Sequence, residues 1–66
     1  MTVTFNGEPV DLVDGVTLAD LIADRVPSVR GVAAAVDGSV VPRGTWQQVT
    51  LREGQRVELL TAVQGG

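Results

Sequence analysis

Apolar and polar positions alternate on both sides of an Asn6-Gly7 pair, with Met1, Val3 and Phe5 before it and Val10 and Leu12 after it. Asn-Gly favours a two-residue type I′ turn, because both central positions of that turn need φ > 0. Closing the chain there sets Phe5 opposite Glu8, Val3 opposite Val10 and Met1 opposite Leu12. The five apolar side chains then share one face, and Thr2, Thr4, Pro9 and Asp11 take the other. Turn register and hydrophobic pattern agree, so residues 1–13 read as a hairpin.

After Asp14-Gly15 the period changes. Leu18, Leu21 and Ile22 recur at helical spacing, with Asp20 and Asp24 on the opposite side. Thr17 is placed to cap this helix and Asp20, three residues on, to complete a short-armed capping box, with Val16 and Leu21 at the two staple positions. Pro27 disfavours helix at Val26, which limits the helix to about two turns. A helix that short does not persist alone and must lie on a sheet.

Val32 to Val36 reads as a strand, and Asp37-Gly38 turns it into Ser39–Val41, where Pro42 ends or edges the pairing. Pro42 to Trp46 reads as irregular, with Trp46 folding back as a core plug; a lone Trp in a small domain is more often a plug than a ligand platform. Val49–Leu51 is a short extended piece before Glu53-Gly54. Arg56–Val63 is the last strand, alternating Val57, Leu59 and Thr61 against Glu58, Leu60 and Ala62. Two hairpins, one helix after the first and a final strand make an α+β unit with a single sheet wrapped on the helix.

Composition narrows the chemistry. Sixty-six residues allow one small domain, spanning 1–66, and the hydrophobic content of 44% argues against disorder. The net charge is −3, and all five bases are arginines without a basic run, which speaks against nucleic acid as a partner. Cys, His, Lys and Tyr are all missing. Disulfides, zinc–thiolate sites, thiol chemistry, an imidazole base and Schiff-base chemistry go with them. The chain is therefore expected to be no enzyme, although it can still serve as a substrate or carrier. No apolar run reaches membrane-spanning length and the N-terminal residues do not resemble a signal peptide, so a cytoplasmic location is expected. No phosphate-binding glycine pattern is present, so ATP binding by the chain itself is not expected. Asp20 and Asp24 form an i,i+4 like-charge pair that reads as a solvated helix face. Asp11, Asp14 and Asp37 read as turn or edge residues without metal-ligand spacing, and Arg43 and Arg52 as solvated arginines.

The end of the sequence carries the remaining candidate chemistry. Thr61-Ala62-Val63-Gln64-Gly65-Gly66 follows the last strand with no charged side chain, and about residues 62–66 read as a flexible tail. Glycine lacks Cβ, so a Gly-Gly backbone can enter a narrow channel. Five residues extend over at most roughly 17 Å, enough to carry an end into a partner's active site while the folded body stays outside. An α-carboxylate is ionised at neutral pH and needs activation before a nucleophile can attack it. An acyl-adenylate supplies that activation, and attack by sulfide or a persulfide then leaves a thiocarboxylate. A frayed terminus or a cloning scar ends the same way, and Gly-Gly alone does not separate these readings. Leu60, Ala62 and Val63 lead into the tail on the outer sheet face and are candidates for partner docking.

Taken in order, Phe5-Asn6-Gly7, Thr17-Leu18-Ala19-Asp20-Leu21, Val40-Val41-Pro42-Arg43 with Trp46, Glu53-Gly54-Gln55-Arg56-Val57-Glu58 and the Thr61–Gly66 end resemble the ThiS family over the whole chain. These are the small sulfur carriers of thiamine biosynthesis. The resemblance implies the β-grasp, or ubiquitin-like, fold: a mixed sheet wrapped on one short helix. It implies that a ThiF-type adenylyltransferase consumes ATP to adenylate Gly66, and that Gly65 and Gln64 let the tail thread. The resulting thiocarboxylate would deliver sulfur to thiazole synthase, ThiG, with a sulfur donor such as a cysteine desulfurase upstream. The carrier itself would hold no cofactor or metal and would be a monomer alone. Gln55 stands where relatives often have Asp. The alternatives are a MoaD-like carrier for molybdopterin synthesis, a ubiquitin-like protein modifier joined through Gly66, and a passive interaction module.

Overall fold

The computed structural model describes residues 1–61. β1 (Thr2–Phe5) and β2 (Glu8–Asp11) form the first hairpin in the expected register, with Val3 opposite Val10 and Phe5 opposite Glu8. Asn6 and Gly7 take φ of 51° and 87°, the paired positive values that a type I′ turn demands. The second hairpin repeats the device. β3 (Val32–Val36) and β4 (Ser39–Val41) meet across Asp37 and Gly38, at φ of 50° and 86°.

Helix α1 (Leu18–Arg25) carries the capping box in full. The Asp20 N–H donates to the Thr17 hydroxyl at 3.1 Å, and the Thr17 N–H donates to the Asp20 carboxylate at 3.1 Å. Leu18, Leu21 and Ile22 are buried, while Asp20 and Asp24 are exposed, as the helical period requires. Before the helix, Leu18 N–H donates to the Val49 carbonyl and Leu51 N–H to the Val16 carbonyl. These bonds flank a lone Thr17–Thr50 bridge, so the extended piece at Val49–Leu51 pins the helix start.

The segment read as irregular is a 3-10 helix, Arg43–Gln48. It shows no apolar period because a single side chain, Trp46, anchors it; Trp46 is 3% exposed and its indole N–H donates to the Val41 carbonyl at 2.8 Å. The Pro42 carbonyl starts the turn by accepting from both the backbone N–H and the hydroxyl of Thr45. At the following turn, Gln55 accepts the Arg52 N–H through its side-chain oxygen at 2.7 Å, so an amide closes it where relatives were expected to carry Asp.

β5 (Arg56–Thr61) completes a five-stranded sheet of order β2-β1-β5-β3-β4. It runs parallel to β1 and antiparallel to β3. Val57 is fully buried and Leu59 packs on the core, while Glu58 and Leu60 point outward. Thr61, placed on the inner side by the alternation, is exposed, because among the described residues the core cluster reaches no further than Leu59 along β5. The final strand was expected to continue to Val63; residues 62 and 63 lie outside the described residues.

Both turn residues reach beyond their own hairpins. The Asn6 side-chain oxygen accepts the Leu59 N–H at 2.8 Å, and the Asp37 carboxylate accepts the Arg56 N–H at 2.9 Å. The left-handed conformation turns each residue's own carbonyl away from the line of the ladder, and the side-chain oxygen takes its place. Asn6→Gly keeps a backbone suited to the turn but removes this acceptor. It should lower unfolding free energy by about 1 kcal/mol in urea titrations, whereas Asn6→Asp should retain most of that stability.

Candidate functional site

The helix and the 3-10 helix cover only one face of the sheet. On the opposite face, Thr2 and Thr4 of β1 and Asp11 of β2 make a polar half, where the Thr2 hydroxyl donates to Asp11 at 2.7 Å. Arg56 and Glu58 continue that character onto β5, and then the surface changes. Leu60 is 74% exposed and Val40 76% exposed. Between them lie Ala33, paired with Leu60, and Ala35, which stands between Glu58 and Val40.

These residues line a shallow groove of about 340 Å³ with an alanine floor. Alanines keep the floor low because longer side chains at 33 and 35 would fill the space. Apolar side chains this exposed have a cost in water, and their gathering on one end of one face makes it the candidate interaction surface. Glu58 is the acidic residue at its rim.

Leu60 thus stands where the alternation puts it, on the outer face at the end of β5. Ala62, Val63, Gln64, Gly65 and Gly66 lie outside the described residues. Val40, Ala33 and Ala35 belong to the same patch and were not foreseen. An unbroken Val-Ala-Ala-Ala-Val run carries no inward–outward signal, and Val40 joins the patch only through the pairing of β4 with β3.

A second concavity, between α1 and the 3-10 helix, has Asp20, Arg43 and Gln47 on its walls. All three are solvated, as is Arg52. Among the described residues no three His, Cys, Asp or Glu side chains gather as metal ligands, and no helix is long and apolar enough to cross a membrane.

Comparison with known proteins gives this geometry a family. The model of the ThiS family matches residues 3–66. The sulfur carrier protein ThiS of Escherichia coli (strain K12) is 27% identical over 66 residues, 100% of both chains. The crystal structure of thiamine biosynthesis protein ThiS from Geobacter metallireducens superposes with a TM-score of 0.84 at 28% identity, covering 100% of each chain. A solution NMR structure of a thiamine biosynthesis protein from the same organism gives a TM-score of 0.79 at 30% identity, over 100% of this chain and 88% of that one. Matched to the family model through its Gly-Gly end, and folded as the ubiquitin-like β-grasp that these relatives share, the chain belongs to the ThiS family.

Proposed function

We propose that this protein is a sulfur carrier of thiamine biosynthesis that works through the α-carboxylate of Gly66. The observation that carries the reading is the extent of the family match, which runs through Gln64, Gly65 and Gly66. The exposed apolar surface at Leu60, at the end of the strand that leads to those residues, supports it.

The chemistry follows from what a carboxylate cannot do unaided. One Gly66 oxygen attacks the α-phosphorus of ATP on a ThiF-type adenylyltransferase; pyrophosphate leaves and an acyl-adenylate forms. Hydrosulfide then attacks the acyl carbon and AMP departs, leaving a thiocarboxylate. With a persulfide donor, such as one formed on a cysteine desulfurase, the first product is an acyl disulfide. A second thiol then cleaves its S–S bond and is itself oxidised to a disulfide with the donor. The thiocarboxylate finally gives its sulfur to thiazole synthase, ThiG, for the thiazole ring.

In this cycle the chain is a co-substrate, catalyses nothing itself and needs no bound cofactor; ATP belongs to the partner. It works in the cytoplasm as a monomer of one 1–66 domain. Gly65 and Gln64 thread the partner's channel, where a Cβ at position 65 would crowd the walls. Leu60 docks on the partner together with Ala62 and Val63.

Incubation with ATP, a ThiF-type enzyme and a sulfur donor should raise the intact mass by the difference between sulfur and oxygen. An unchanged mass, under conditions that modify an authentic carrier, removes the reading. Deleting Gly66 should abolish the shift and leave the urea midpoint unmoved, because terminal residues contribute little to stability and, among the described residues, no core residue lies beyond Leu59. Leu60→Arg should weaken binding to the adenylating enzyme at least about tenfold while changing unfolding free energy by less than about 0.5 kcal/mol, as expected at an exposed site.

A further inference from the structure

The two flanks of β5 are unequally filled. On the β3 side the pairing runs from Val57 against Val36 to Thr61 against Val32. On the β1 side it stops at Phe5 against Val57, because Asn6 and Gly7 there turn the chain away into β2. The Asn6 side chain extends that flank by one acceptor, for the Leu59 N–H.

Alternate residues of a strand present their N–H and C=O to the same side. The Asn6 N–H donates to the Val57 carbonyl at 2.9 Å, which sets the phase: Val57, Leu59 and Thr61 address the β1 side. Beyond the Asn6 contact, the Leu59 carbonyl and the N–H and carbonyl of Thr61 find no hydrogen-bond partner among the described residues. Leu60 lies between them on the outer face, at the groove over Ala33.

We propose that this open flank, Leu59 to Thr61, is a β-augmentation site for an extended segment of the enzyme that receives the C-terminus. The segment occupies the line of β1 beyond Asn6. One of its carbonyls accepts the Thr61 N–H and one of its N–H groups donates to the Leu59 carbonyl. Its side chain beside Leu60 is apolar, because that position falls on the outer face next to the exposed patch. Unpaired strand edges template such pairing in general, and proteins keep them short to avoid indiscriminate association. Here the edge is three residues long and adjoins the segment that must enter the partner. Pairing therefore gives β5 a fixed direction relative to the channel, which a greasy contact at Leu60 alone does not. The identity of the partner rests on the carrier reading above; the open flank itself does not.

Thr61→Pro removes an N–H that points away from β3, so the β3–β5 ladder keeps its bonds, whereas Thr61→Ala keeps the N–H and serves as control. Binding of each variant to the ATP-dependent adenylating enzyme is measured by calorimetry. Thr61→Pro should bind about tenfold more weakly than Thr61→Ala, the scale of a lost interface hydrogen bond. In the wild-type protein, hydrogen exchange at the Thr61 amide should slow on complex formation. Equal affinities for the two variants, or a Thr61 amide that exchanges as fast in the complex as in the free protein, overturn the proposal. If Thr61→Ala is adenylated normally in that case, the carrier reading stands without the augmentation. An enzyme that does not bind the wild-type chain at all overturns both.

Discussion

The backbone of β5 is what the two halves of this molecule share. β1 and β2 pair with each other, β3 and β4 pair with each other, and β5 is the strand that pairs with both hairpins. The parallel contact with β1 is short, Thr4 with Arg56 and Phe5 with Val57, and brings together residues more than fifty positions apart. So short a ladder is held against the entropy of closing that loop by what happens at its end. Asn6 and Asp37 take the left-handed conformation that their turns require, and each then lends a side-chain oxygen to a β5 N–H. Each of these residues thus meets two demands, of which glycine would meet only the first.

This double duty explains which parts of the fold can be read from the residues. Both hairpins are legible, since Asn-Gly and Asp-Gly state the turn and the alternation around Asn6 states the register. The helix is equally plain, because Thr17, Asp20 and the Leu18–Leu21–Ile22 stripe are all local signals. The order of strands is not local. Nothing in the period of β1 announces a parallel partner at Arg56, and the family resemblance implied no more than a mixed sheet. The 3-10 helix was hidden because its stability comes from one indole N–H and one Pro42 carbonyl. The clamps from Asn6 and Asp37 were hidden for a different reason: the turns already account for both residues, which leaves no anomaly to notice.

Of the candidate site, Leu60 is legible as an apolar residue in the polar phase of its strand. Its neighbours are not, since Ala33, Ala35 and Val40 acquire a common surface only when β3 is laid between β4 and β5. Isolated exposure means less. Val13 is 75% exposed but does not line the groove, and a single exposed apolar residue is ordinary on a protein surface.

One helix on one face of a five-stranded sheet leaves the other face without a second layer, and among the described residues no further element supplies one. Most of that bare face is made compatible with water by Thr2, Thr4, Asp11, Arg56 and Glu58. The apolar remainder is confined to the end nearest the C-terminal segment. The strongly exposed apolar side chains of the patch are two, Leu60 and Val40 over an alanine floor, and a contact surface so small favours exchange over permanent association. A carrier working as proposed, leaving one enzyme loaded and meeting another, needs that balance. Widening the patch would strengthen each complex and slow the departure on which the next transfer depends.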